Sequence, residues 1–226
     1  MSVKALVHYG LSSSSYSGST MSSDFPVRLV LASSSRYRKE LLSRLGLPFT
    51  TASPDIDETP LPGEKPAETA SRLAFLKAAA VSARYPDAIV IGSDQVAELQ
   101  GNPIGKPGSF EKAFEQLKSM RGRAVLFHTA LCVRDGRDAL PDDTAQSETV
   151  KTTVVFRNLP DDDLKAYLKT EEPYDCAGSA KNEALGIILL EKIESDDPTA
   201  LTGLPLITLT TMLRRCGVSF FPSVSR

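Results

Sequence analysis

The sequence predicts an α/β fold, a mixed twisted sheet flanked by helices. Three observations carry this expectation. Short apolar runs of strand length alternate with segments of helical period, in the order βα, βα, βα, then a long β pair, then α, β, α. Serine, glycine and proline punctuate the junctions. No internal repeat and no shift of composition marks an inter-domain linker, so 25–226 reads as a single domain behind a Ser-rich extension over 1–24.

The folded part begins at Val27, and residues 27–32 suit a buried strand. Ser33, Ser34 and Ser35 follow. A helix is expected over 36–45, with Leu41, Leu42 and Leu45 on one face and Gly46 and Pro48 ending it. Residues 49–52 are a second strand, and the proline-rich stretch 54–66 is a loop. Residues 67–84 read as a strong helix whose face is Leu73, Leu76, Ala80 and Ala83. Residues 88–91 form a strand ending in Gly92-Ser93-Asp94. Residues 96–99 continue as a hairpin arm, with Gln100-Gly101-Asn102 as its turn. Ser109 caps a helix over 110–120. Two long β stretches, 123–134 and 144–157, flank Asp135-Gly136. A helix over 159–170 opens with Pro160 and three aspartates, as the N-terminal dipole favours. Residues 186–193 are a strand, 198–201 a turn or short helix, and 205–215 a last helix stopped by Gly217.

Composition narrows the function. Hydrophobic residues at 41% and charged residues at 24% allow a sizeable core. A net charge of −2 argues against binding a nucleic acid polymer, which needs a basic face. A small anionic substrate remains open, since a pocket needs only a few cations. Three scattered cysteines, with no CxxC pair, fit a reducing compartment, so the cytoplasm is the expected location. The presence of only two histidines argues against a His/Cys zinc site, and a metal would have carboxylate and water ligands, as Mg²⁺ or Mn²⁺ does. No apolar run spans a bilayer. Residues 1–24 read as an extension or expression remnant. A weak targeting peptide is the rival, although Arg is missing there; Met21 is an alternative start.

Five places could carry chemistry. Ser33, Ser34 and Ser35 at a strand-to-helix junction, with Arg36, Arg38 and Lys39 after them, suit phosphate binding; an N-cap with surface cations is the alternative. Asp94 follows the apolar run 88–91, where α/β proteins place active sites, and could hold a metal or accept a proton from water; the alternative is a turn aspartate. Asp57-Glu58 in the proline-rich loop is weak alone. Gly105-Lys106-Pro107 is no P-loop, because the glycine spacing is one short and Pro follows Lys106; Lys106 could still meet phosphate. Lys77 either lies on the solvated face of its helix, as periodicity favours, or points into a cleft.

Taken together these segments resemble the Maf family of nucleotide pyrophosphatases. The matches run in order through Leu31-Ala32-Ser33-Ser34-Ser35-Arg36-Tyr37-Arg38, Asp57-Glu58, Arg72-Leu73-Ala74 with Lys77-Ala78, and Ile91-Gly92-Ser93-Asp94-Gln95. They continue through Gly105-Lys106-Pro107, Cys176-Ala177-Gly178-Ser179 with Glu183 and Gly186, and Gly203-Leu204-Pro205-Leu206. The resemblance implies two lobes with a cleft between them, with dimers common. It implies hydrolysis of a nucleoside triphosphate to monophosphate and pyrophosphate with a divalent metal. It implies Asp94 as general base, Ser33, Ser34, Arg38, Lys77 and Lys106 around the phosphates, and Glu58 with Asp94 near the metal.

Many members carry Ser-Pro-Arg-Arg where this chain has Ser35-Arg36-Tyr37-Arg38. Tyr37, Gln95 and Glu183 look like the branch that acts on 7-methyl-GTP. N7-methylation makes guanine cationic, and a cation stacks on an aromatic face for ~0.5–2 kcal/mol. Glu183 could accept from guanine N1–H and the exocyclic amine. The rival within the family is a dTTP- or UTP-type pyrophosphatase; outside enzymes it is a nucleotide-binding regulator of cell division.

Overall fold

The computed structural model describes residues 27–137 and 145–221, so the segment 1–24, Met21 and the expected strand start at residue 144 lie outside the described residues. Three parallel strands form one end of the sheet: β1 (Leu29–Leu31), β2 (Phe49–Thr51) and the first part of β3 (Ile89–Leu99). Antiparallel partners extend it: β4 (Asn102–Ile104), β5 (Ala124–Asp135), β6 (Gln146–Phe156) and β7 (Leu190–Ser195). The order is β2-β1-β3-β5-β6-β7, with β4 beside the end of β3. Helices α1 (Arg36–Ser43), α2 (Pro66–Ser82), α3 (Phe110–Met120), α4 (Asp161–Glu171) and α5 (Leu206–Arg215) cover it. The expected mixed α/β plan is therefore present.

Alternation along the strands builds the core. Leu29, Leu31, Ile89, Ile91, Leu131 and Val133 pack under Leu41 and Leu42 of α1 and Leu209, Met212 and Leu213 of α5. Their neighbours Val30, Ala32, Val90, Ala130 and Cys132 face Ala70, Ala74, Ala78 and Val81 of α2. Farther along, Ala97, Val125, Phe127, Val154 and Phe156 meet Leu117 and Met120 of α3 and Leu164, Tyr167 and Leu168 of α4. Two packed regions thus sit at the two ends of one sheet.

Local signals set several boundaries. Ser35 Oγ accepts from the Arg38 N–H at the start of α1, and Ser109 Oγ accepts from Lys112 N–H at the start of α3. Pro160 precedes α4, whose first turn holds Asp161, Asp162 and Asp163.

Three expectations need correction. Strand β3 does not break at Gly92-Ser93-Asp94 but runs through it. Strand β5 pairs along its length from Ile89↔Asp135 to Glu98↔Leu126, so the backbone groups of the polar stretch that face β5 are satisfied there. The buried face of α2 is Thr69, Ala70, Leu73, Ala74, Lys77, Ala78 and Val81, not the face of Leu73, Leu76, Ala80 and Ala83. Leu73 is buried as expected, but Ala74 and Ala78, rather than Leu76 and Ala80, meet β3, because Gly92 leaves no side chain in the way. A Cβ there would lie 2.3 Å from Ala74 O and 2.7 Å from Ala78 N. Last, 186–193 is not one strand: Leu185–Leu189 is a 3₁₀ turn, and β7 starts at Leu190. Gly186 presses on the Lys181 backbone, where a Cβ would sit 2.6 Å from Lys181 N, and that contact holds the chain curled.

Candidate active site

A gap in the sheet creates the cleft. Strand β1 pairs with β3 only over Ile89–Ile91, and β4 pairs with it only over Ala97–Leu99. Between these contacts one edge of β3, from Gly92 to Val96, has no strand beside it, and there the chain leaves β1 through Ser33 and Ser34 into α1. Ligand crevices form where neighbouring strands diverge in this way. Asp94 is a mid-strand residue, yet it lies just past the carboxyl end of the parallel portion, so the functional expectation survives the corrected boundary.

The cleft has a volume of about 800 Å³ and is lined by Ser33, Ser34, Tyr37, Arg38, Glu58, Lys77, Asp94, Gln95, Lys106 and Glu183. Of the residues singled out from the sequence, these ten line one cavity, while Asp57 and Lys39 do not. Their degree of order differs along it.

The floor is built of buried charge. Lys77 and Asp94 are 5% and 6% exposed. Lys77 Nζ donates to Asp94 Oδ1 at 2.7 Å and lies 2.9 Å from Glu58 Oε1. So Lys77 is not on the solvated face that periodicity favours. The close seating of α2 on Gly92 carries it to the carboxylate. Burial pushes the Asp94 carboxyl above the usual carboxylate range; Lys77 and Arg38 pull the other way, and Glu58 adds to the rise. Asp94 Oδ2 takes no hydrogen bond from protein among the described residues. That oxygen is left for water.

Arg38 reaches in from α1. Its Nε–H donates to Gly203 O at 2.9 Å, and its guanidinium meets Ser33 Oγ at 3.4 Å. Burial lowers its pKa, while Asp94 and Glu58 raise it. Ser93 Oγ–H donates to the same Gly203 carbonyl at 3.0 Å. Gly203 O thus ties the loop before α5 to both β3 and α1.

Glu58 sits on a braced loop. Glu64 accepts from Arg72 Nε at 2.5 Å and from its terminal nitrogen at 2.8 Å, and also from Leu61 N–H and Thr69 Oγ1. The same terminal nitrogen of Arg72 donates to Thr59 O at 3.1 Å. This pairing holds Glu64 down to a pKa of about 2. Neither Glu64 nor Arg72 was given a role from the sequence. Arg72 belonged to a matched motif, but its partner lies eight residues back in a loop, beyond any helical spacing rule.

Two of the base-recognition candidates stand otherwise than expected. The Gln95 amide donates to Thr129 Oγ1 at 2.9 Å and to Ala200 O and Leu201 O at 3.0 Å each, so its nitrogen serves the fold. Tyr37 is half-buried, and the Arg36 guanidinium lies 4.7 Å from its ring centroid and donates to its hydroxyl at 2.8 Å. Ser34, Lys106 and Glu183 are exposed on the rim.

Two carboxylates converging on one point, with oxygen donors only, match how a hard cation such as Mg²⁺ is held by one or two carboxylates plus substrate oxygens. Among the described residues no group of three or more His, Cys, Asp or Glu could hold a metal alone. The residues fit a metal that shares its ligands with the substrate.

Known proteins resemble this chain over most of its length. The family described as "Maf-like protein" matches residues 28–216. A protein of Cupriavidus metallidurans named 7-methyl-GTP pyrophosphatase is 60% identical over 201 residues, covering 89% of this chain and 99% of that one. A Bordetella pertussis protein of the same name is 60% identical over 193 residues, covering 85% and 94%. Among solved structures, a HAM1 protein from Coxiella burnetii overlaps 59% of this chain and 75% of its own, at 17% identity and a TM-score of 0.42. A family match across 28–216, joined to relatives sharing three residues in five over nearly their whole length, makes this chain a member of the Maf family.

Proposed function

We propose that the protein hydrolyses 7-methyl-GTP to 7-methyl-GMP and pyrophosphate in the cytoplasm, through the single domain that begins near residue 25. The observation that carries this reading is the buried Lys77–Asp94 pair at the floor of a cleft ringed by Ser33, Ser34, Arg38 and Lys106. The names borne by the relatives supply the base.

In this reading Arg38, Lys77 and Lys106 take the triphosphate, with the Ser33 and Ser34 hydroxyls adding donors. Asp94 orients one water and accepts its proton through Oδ2, and its burial-raised pKa makes it a better base than an ordinary aspartate. The water oxygen bonds to the α-phosphorus in line. The bond from that phosphorus to the α–β bridging oxygen breaks, and pyrophosphate leaves with the electron pair. A divalent cation such as Mg²⁺ or Mn²⁺, held by Glu58 and Asp94, supplies neutralisation of the phosphate charge when bound. No covalent intermediate is needed. Tyr37 offers its ring face to the cationic base, and Glu183 accepts from the guanine edge. Gln95 acts at one remove, by holding residues 200–201 at the cleft wall.

The deciding experiment is pyrophosphate release from 7-methyl-GTP, GTP, dTTP, UTP and CTP with Mg²⁺ or Mn²⁺. Preference for 7-methyl-GTP supports both reaction and base. Preference for dTTP or UTP keeps the reaction and removes the base assignment. Release from none of them refutes the enzyme reading.

A further inference from the structure

We propose that Lys77 is a resident counter-ion that keeps the Asp94–Glu58 pair closed to metal until a nucleotide arrives, so that metal and triphosphate enter together. The proposal rests on reading the cleft as a nucleotide and metal site, and it adds an order of binding to that reading.

Lys77 Nζ stands 2.7 Å from Asp94 Oδ1 and 2.9 Å from Glu58 Oε1. It occupies the point where both carboxylates converge. A Mg²⁺ ion would sit at about 2.0–2.1 Å from carboxylate oxygens. It would therefore compete for the same two oxygens and be placed against the ammonium of a lysine that is only 5% exposed and so poorly screened by water.

The local charges give the same answer. Two cations, Lys77 and Arg38, face two anions, Asp94 and Glu58, so the floor is balanced before anything binds. A bare divalent cation adds two uncompensated positive charges to this floor. A metal–triphosphate complex carries its own negative charge and offers phosphate oxygens to the ammonium that the metal displaces.

The structure also shows which parts can yield. Helix α2 is seated against Gly92 by backbone contacts, so the Lys77 backbone stays and its four-carbon stem swings. Asp94 lies within a strand paired on β5, whereas the Glu58 side chain is 57% exposed on a loop. Exchange therefore proceeds by rotation of Lys77 and Glu58 around a fixed Asp94.

The test is Mn²⁺ retained with the full-length protein on ultrafiltration, a readout independent of turnover. It is measured alone and with 7-methyl-GTP carrying a methylene group between its α- and β-phosphorus; the unbound analogue passes the filter. The wild type alone should hold Mn²⁺ weakly, and the analogue should tighten it about tenfold or more. Lys77→Met should tighten Mn²⁺ without nucleotide by a similar factor, while Lys77→Arg, which keeps the charge, should not. Nucleotide-free wild type binding as tightly as Lys77→Met would overturn the proposal. If Lys77→Met fails to fold, the wild type decides: no gain on adding the analogue overturns it. Mn²⁺ retained in no arm, analogue included, would instead refute the metal reading of the cleft, and the proposal would fall with it.

Discussion

Gly92→Ala tests how the site is assembled, because it touches no substrate yet acts where α2 meets β3. An added Cβ would stand 2.3 Å from Ala74 O, 2.7 Å from Ala78 N and 2.9 Å from Ala78 Cβ. The two nearest atoms are backbone, so no rotamer change relieves them, and α2 must lift by about 1 Å to reach ordinary contact. Overpacking of this kind costs typically 1–3 kcal/mol, and a backbone obstacle argues for the upper end, about 3 kcal/mol. At an m value of roughly 2 kcal/mol per M, the urea midpoint falls by about 1.5 M. The same lift carries Lys77 away from Asp94 and Glu58. A displacement of 1 Å in a catalytic arrangement can cost about 10²-fold, so kcat/KM for pyrophosphate release should fall by about that factor. Ala78→Gly should not rescue the variant, since Ala74 O and Ala78 N remain. A Gly92→Ala protein with wild-type midpoint and turnover would refute close seating of α2 as the device that places Lys77. Rescue by Ala78→Gly would place the obstacle in the side chain instead.

Asp94→Asn should abolish pyrophosphate release while the protein stays folded; near-normal kcat would remove its role as base. Since its pKa is raised, the native state binds that proton more tightly than the unfolded chain, so its contribution to stability is present at low pH and lost as pH rises through the folded pKa. Asp94→Asn should therefore melt at or above the wild-type temperature at neutral pH, and the acid limb of kcat/KM should fall above the ordinary aspartate range. A clear drop in Tm would show that pairing with Lys77 outweighs burial. Arg72→Ala unbraces the Glu58 loop, so the Mn²⁺ concentration for half-maximal activity should rise several-fold with the ratio of 7-methyl-GTP to GTP turnover unchanged. An unaltered metal requirement would leave the Glu64–Arg72 pair without influence on the site. Tyr37→Arg should cut selectivity for 7-methyl-GTP over GTP by about 2–30-fold, the equivalent of ~0.5–2 kcal/mol of cation–π contact; an unchanged ratio would remove the stacking argument. Arg36→Ala should lower KM for 7-methyl-GTP and leave kcat alone, because a guanidinium now lies over the ring that would receive the base. A rise in KM for every nucleotide would mean that Arg36 binds phosphate instead.

Features that depend on a few neighbouring residues were legible in the sequence. Strand, serine turn and helix α1 follow from an apolar run, the Ser35 cap and two leucines. Helix α3 follows from Ser109, and the β5–β6 pair from two long β-type stretches flanking Asp135-Gly136. What escaped depends on distant partners. Periodicity ranks a helix face by side-chain hydrophobicity, so it grouped Leu73 with Leu76, Ala80 and Ala83, of which only Leu73 is buried, because the spacing to β3 is set by Gly92, ten or more residues away. Likewise Gly92-Ser93-Asp94 looks like a turn until β5 is in place to accept its hydrogen bonds. The Gln95 amide finds its acceptors in residues 200–201, which no local pattern connects to it. Of the candidate site residues, Asp94 and the serine turn stood out by local physics, Tyr37, Gln95 and Glu183 came only through the ordered motifs, and for Lys77 the local rule pointed the wrong way.

The two ends of the cleft differ in how much is already in place, and this bears on where selectivity arises. At the phosphate end, Arg38 is tied to Gly203 and Ser33, Lys77 to both carboxylates, and the Glu58 loop to α2 through Arg72. At the base end, the Tyr37 ring is covered by Arg36, and Glu183 stands exposed and takes no hydrogen bond among the described residues. In the proposed reading Arg38 and Asp94 are thus set in advance, while Lys77 and Glu58 need only turn about their side-chain bonds, and transition-state stabilisation gains most from such fixed geometry. Groups aimed at the base must rearrange as it binds, and that reorganisation subtracts from ground-state affinity. Discrimination between bases should accordingly fall mainly on KM, while any nucleotide that places its α-phosphorus beside Asp94 turns over at a similar kcat. A cationic base gains twice in this arrangement: it can replace the Arg36 cation on the ring, and its charge is complementary to Glu183. A neutral guanine offers neither.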